Sequence, residues 1–180
     1  MAKKIGIALG VLLGIFLIYV AFKSPKYEFN REVKIEANAA EIFPWINNSQ
    51  KMNVWMPWKE VDPKMVMSFD GPEEGVGAKS SWTSDGQMGE GSSTIIESVP
   101  NQKTVFLLEY TKPQAMTQNA SIEILPDGNA SVVRWSVWGE NGFIGRLFCS
   151  LVDVSKHING SFDAGLNKLK QQVETSKPKQ

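Results

Sequence analysis

Hydrophobic and polar positions alternate at two different periods along this chain, and the switch between them divides it. From Phe143 to about Glu174 the apolar residues fall at Ile144, Phe148, Leu151, Val154, Ile158, Phe162, Leu166, Leu169 and Val173. Steps of three and four put them on one stripe of an α-helix, with Lys156, Asn159, Asp163, Lys170 and Gln171 mostly off it. A helix of roughly 30 residues would run about 45 Å. Its buried stripe needs a partner of similar length, and the chain before it reads as strand after strand. Gly145, Gly160 and Gly165 each weaken such a helix by about 1 kcal/mol relative to Ala, so they mark tolerated sites, a bend or a close backbone approach.

Upstream the period is two. Tyr27 to Ala37 alternates Phe29, Val33 and Ile35 with polar residues, as a half-buried strand does. Asn38 with Glu41 three residues on is a capping box for a short helix from Ala39 to Ile46. A second short helix or turn runs from Ser49 to about Val54, before the cluster Trp55-Met56-Pro57-Trp58. Strands are then expected over Val61–Asp70, Gly77–Thr83, Gln87–Val99, Thr104–Thr111, Thr117–Leu125 and Ala130–Trp138. Turn residues separate them, among them Gly71-Pro72, Ser84-Asp85-Gly86 and Pro126-Asp127-Gly128. No parallel crossover is required, so the expected class is α+β, an antiparallel sheet with its helices on one face.

The first residues follow neither period. Ile5 to Phe22 is an uncharged apolar run of about 18 residues, near the lower limit for crossing a bilayer. Bulky Tyr19 and Phe22 at its exit argue for an uncleaved membrane anchor over a cleaved signal peptide. Lys3 and Lys4 favour an inside amino terminus and a domain on the outer, periplasmic or extracellular side, although Lys23 and Lys26 follow the run. The expected organisation is an anchor over 1–24, one domain over 25–174 and a flexible tail over 175–180.

Charge narrows the functions. The 19 basic and 19 acidic side chains balance, so no basic face points to nucleic acid. One cysteine, Cys149, excludes an intramolecular disulfide and reads as a small buried hydrophobe. With His157 the single histidine, no zinc site is expected. No phosphate loop or nucleophile elbow is present, and no cofactor, catalytic residue, partner motif or oligomeric state is indicated.

Three motifs in order carry a resemblance: Glu41-Ile42-Phe43-Pro44-Trp45-Ile46; Trp55-Met56-Pro57-Trp58; and Gly75 to Trp82 followed by Gly89-Glu90-Gly91-Ser92 and Ile95 to Pro100. Together they resemble the START-like helix-grip (SRPBCC) superfamily, particularly its polyketide cyclase/dehydrase branch, over about Phe29 to Val173. The resemblance implies a curved antiparallel sheet of about seven strands gripping the C-terminal helix, with an apolar cavity between them. The N-terminal anchor is an addition to that pattern.

The aromatic residues come from every layer that would surround such a cavity. The candidate ligand-contacting residues are Trp55, Trp58, Trp82, Glu90, Phe106, Trp135, Phe148 and Val152. Trp55 to Trp58 and the start of the long helix are expected to shape the entrance. Glu90, Glu97, Glu109 and Arg134 either face the cavity or point to solvent; alternation with Val133, Trp135 and Val137 puts Arg134 outside. The favoured reading is a membrane-anchored domain that binds, carries or senses a hydrophobic small molecule or lipid. Two others stand beside it. An aromatase/cyclase-type enzyme needs Glu90, Glu109 or His157 in the cavity. A protein-interaction module, resembling the family's chaperone-binding relatives, needs a filled core.

Overall fold

The computed structural model describes residues 2–176. Helix α1 (Ala2–Phe22) precedes strand β1 (Lys26–Ile35). Three short helices follow: α2 (Ala39–Asn47), α3 (Ser49–Trp55) and α4 (Trp58–Val61). Six more strands come next: β2 (Val66–Asp70), β3 (Lys79–Thr83), β4 (Glu90–Val99), β5 (Lys103–Lys112), β6 (Met116–Asp127) and β7 (Ala130–Glu140). Helices α5 (Phe143–Leu151) and α6 (Val154–Thr175) end the chain.

The seven strands form one sheet in the order β1-β7-β6-β5-β4-β3-β2, every neighbour antiparallel. First and last strands pair, so the chain must cross the whole sheet between β1 and β2. Helices α2 to α4 make that crossing and bury Ile42, Ile46, Met52 and Trp55. The capping box forms: the Glu41 amide donates to Asn38 Oδ1 at 3.1 Å and the Asn38 amide to Glu41 Oε2 at 2.9 Å. Asn48 caps α3 in turn, accepting from Gln50 and Lys51. Helix α6 packs mainly on β1 and buries Phe162, Leu166, Leu169 and Val173. Arg31 on β1 reaches Asp163 of α6 with two bonds of 2.7 Å, which orients the helix on the sheet.

Three expectations change. The strand expected from Val61 begins at Val66, because Trp58–Val61 closes a helical turn with the Asp62 amide donating to Trp58. The long terminal helix is two helices. Val152 is extended (φ −123°, ψ 134°), and Asp153 accepts from the Lys156 amide to start α6. A three-residue step from Leu151 to Val154 is common to a continuous and a broken helix, so periodicity hides the break. It falls at none of the glycines: Gly165 is a close approach, where a Cβ would sit 3.0 Å from Trp135 and 3.1 Å from Pro57, and Gly160 has open space. Finally, Thr175 belongs to α6 and Ser176 caps it; the rest of the expected tail lies outside the described residues.

Helix α1 is apolar, 20 residues of it (Lys3–Phe22) are long and apolar enough to cross a membrane, and almost all of that length is exposed. Its last turn is an exception. Val20 is fully buried, and Arg146 of α5 donates to the carbonyls of Ala21 and Lys23 at 3.1 and 2.8 Å.

Candidate functional site

The concave face of the sheet encloses a cavity of about 340 Å³ between α3, α4 and strands β2 to β7. Alternation decides its walls. Inward positions on successive strands supply Met67, Ser80, Trp82, Ser93, Phe106, Leu108, Tyr110, Ala120 and Trp135. The crossing helices add Ser49, Met52, Asn53, Met56 and Trp58. Gln87, Met88, Lys112 and Pro113 come from the two hairpin ends beside them.

One wall is an aromatic block. Trp135 stacks on Phe162 of α6, ring centroids 4.0 Å apart and planes within 2°. Trp55 and Trp58 meet Trp135 edge-on at 5.7 and 6.0 Å. This explains the Trp55 to Trp58 motif: two indoles bracket Trp135, and Pro57 between them packs on Gly165. Trp55 donates to the Trp45 carbonyl at 2.9 Å and is fully buried behind the wall. The opposite wall is Trp82, edge-on to Tyr110 at 5.4 Å, its Nε1 donating to the Met88 carbonyl. Gly91 lies flat beneath Trp82, and Gly89 turns at φ +58° against the Lys112 backbone, so both glycines of the Gly-x-Gly motif have steric reasons.

Polar contacts pin the edges. The Asp62 carboxylate accepts from Ser84 Oγ at 2.7 Å and the Met88 amide at 3.1 Å, tying the β3–β4 hairpin to α4. Those bonds hold its pKa below the usual carboxylate range. Tyr27 lies across Gly139, where a Cβ would meet its ring, and donates to Gln118 Oε1 at 2.8 Å. Gln118 Nε2 donates in turn to Tyr110 Oη at 2.8 Å. Burial raises the Tyr110 pKa, so its hydroxyl is a neutral donor at physiological pH, and its proton has no protein acceptor among the described residues. Tyr27 is pushed to about 12, chiefly by burial and then by Tyr110. A raised phenol pKa stabilises the fold below pH 10 and loses that contribution as pH rises through about 12. Unfolding followed from pH 9 to 12 should show this alkaline loss, and Tyr27→Phe should shrink it.

Of the sequence candidates, Trp58, Trp82, Phe106 and Trp135 come together on the cavity. Trp55 supports the wall from behind. Glu90 does not line the cavity: half-buried, it pairs at 2.6 Å with Lys112, which does. Glu109 is exposed, Glu97 pairs with Lys103, and Arg134 pairs with Glu32, as its outward alternation predicts. Phe148 and Val152 are exposed at 57% and 46%; Phe148 lies on α5 and Val152 at the α5–α6 break, and neither lines the cavity. Among the described residues no α5 or α6 side chain lines it, and Trp58 is the residue of the expected entrance that does. The side chain of His157 lies outside the described residues. Among the described residues no His, Cys, Asp and Glu cluster could hold a metal.

The sequence reading missed the methionines. Five of the seven, Met52, Met56, Met65, Met67 and Met88, line the cavity. Their concentration between residues 52 and 88 was the available signal. Unbranched, polarisable side chains give a wall that reshapes around its contents.

No protein-family model matches the chain, and no curated protein matches it. Solved structures do. The Aha1 dimer from Colwellia psychrerythraea is 18% identical with a TM-score of 0.60, over 84% of this chain and 99% of that one. Truncated norcoclaurine synthase from Thalictrum flavum is 14% identical with a TM-score of 0.63, over 86% of this chain and 98% of that one. Ara h 8.0201 is 12% identical with a TM-score of 0.54, over 84% and 99%. The fold is the helix-grip fold. Neighbours at this identity show the architecture alone.

Proposed function

We propose that this chain holds one small apolar molecule, lipid-like in character, in the cavity between α3 and the concave sheet, and does so tethered to a membrane by α1. The supporting observation is the cavity: about 340 Å³, walled by methionine and aromatic side chains, with the Tyr110 hydroxyl as a neutral donor. That volume falls within the range of small-molecule sites, and an apolar wall with few polar groups is their usual composition. It favours a ligand with a hydrocarbon body and one acceptor oxygen. The space also speaks against a filled core. Glu90, paired with Lys112, and the exposed Glu109 are not among the lining side chains, which weighs against a cyclase reading. Helix-grip neighbours such as norcoclaurine synthase and Ara h 8.0201 share the frame that encloses the space. In this reading residues 1–24 are the anchor and 25–174 the binding domain on the outer side, with Lys3 and Lys4 kept on the inner side.

Titrating the chain from Lys26 onward with a fluorescent fatty acid tests this. Binding should quench tryptophan emission, and Ser93→Phe, which fills the cavity from β4, should weaken it roughly 10–100-fold. Phe148→Ala should leave it unchanged. Equal binding by wild type and Ser93→Phe would place the probe elsewhere and reject the cavity.

A further inference from the structure

Helix α5 is amphipathic the wrong way round for water. Ile144, Phe148 and Leu151, spaced by four and three, form one stripe, and they are 66%, 57% and 69% exposed. Phe143 and Val152 extend the exposed patch. The opposite side, turned to the protein, carries Arg146, Cys149 and Ser150, all at least partly buried. A helix on a soluble surface buries its apolar side and shows its polar side. Exposed apolar patches of this kind mark a surface that something else covers.

What covers it follows from where α5 sits. Its polar side is spent on the end of α1: Arg146 holds the carbonyls of Ala21 and Lys23, and the Lys23 ammonium donates to Ser150 Oγ at 3.2 Å. The exposed stripe of α5 therefore lies beside the point where the exposed apolar surface of α1 ends. Lys23, Lys26 and Arg146 border one groove there, and cations beside the end of an apolar helix are the groups that meet lipid phosphates.

We infer that α5 is an interfacial helix: its Ile144–Phe148–Leu151 stripe inserts into the lipid bilayer at the foot of α1 and docks the domain onto the membrane surface. This rests on reading α1 as a membrane span. The occupant is the bilayer, because the two apolar surfaces meet at one tethered junction. The break at Val152–Asp153 then separates a helix that packs on lipid from one that packs on the sheet.

The test uses the full chain in phosphatidylcholine vesicles. In a Cys149→Ser background, single spin labels go at Ile144→Cys, Phe148→Cys and Leu151→Cys. Val11→Cys in mid-α1 serves as the lipid reference and Lys156→Cys as the water reference. Relaxation by oxygen and by a water-soluble nickel chelate is measured at each. Labels at 144, 148 and 151 should be oxygen-rich and nickel-poor, like position 11 and unlike position 156. Nickel access at all three, with position 11 still in lipid, overturns the inference and leaves the span standing. Nickel access at position 11 overturns the span, and the inference with it. Labels reached by neither reagent, with spin–spin broadening, put a second copy on the stripe and also overturn it.

Discussion

Trp135→Ala should destabilise the domain by about 3–5 kcal/mol, the range for removing a large buried aromatic. The Trp135 ring is where three layers meet: it stacks on Phe162 of α6, receives Trp55 and Trp58 edge-on, and faces the cavity with its remaining surface. The Gly165 backbone lies against the same ring, with Pro57 packed on that glycine, so little of the space can be refilled by collapse. For a domain of this length the loss corresponds to a melting point lower by roughly 10 °C. Cavity volume should grow as well, so a bulkier apolar probe should be accepted by whatever fraction stays folded. Thermal unfolding by circular dichroism measures the first effect. A change below 1 kcal/mol would mean that the aromatic block is not the joint between sheet and helix.

Gly91→Ala should destabilise the domain for the opposite reason. A Cβ there would sit 2.5 Å from Trp82 Cζ2 and 2.6 Å from the Glu109 carbonyl oxygen. The carbonyl belongs to the paired strand β5 and has no room to retreat, so the indole must. Moving it breaks its bond to the Met88 carbonyl and its edge contact with Tyr110. Overpacking of this kind costs about 1–3 kcal/mol. Fatty-acid binding should weaken together with stability, because Trp82 is a cavity wall. Denaturant unfolding of Gly91→Ala beside wild type measures the cost; identical midpoints would show that the strand has slack.

The fold was legible wherever local chemistry and the core agreed. Asn38 with Glu41, the Pro126-Asp127-Gly128 turn and the alternation around Arg134 each pointed to what the structure holds. Where two arrangements share one local pattern, the sequence was mute. A three-residue step from Leu151 to Val154 fits a continuous helix and a broken one, and only Asp153, a capping residue type, hinted at the break. The same ambiguity sent Phe148 to the cavity, because an apolar residue on an amphipathic helix reads as inward whichever solvent it faces. Trp58, Trp82, Phe106 and Trp135 were legible as cavity residues because large rings on strands and crossing helices have one apolar place to go. Glu90 was not, since the register shift between Glu90 and Gly91 interrupts the alternation that would have placed it. The methionines went unread because flexible apolar side chains carry no periodic signature.

The most direct test of the cavity's role is native mass spectrometry of the full chain extracted from its own cells in mild detergent, beside Ser93→Phe. The wild-type chain should carry an adduct of a few hundred daltons, extractable into organic solvent and absent from the folded variant. A wild-type chain that carries no adduct and acquires none when offered fatty acids, or a Ser93→Phe chain that carries the same adduct, would contradict that role.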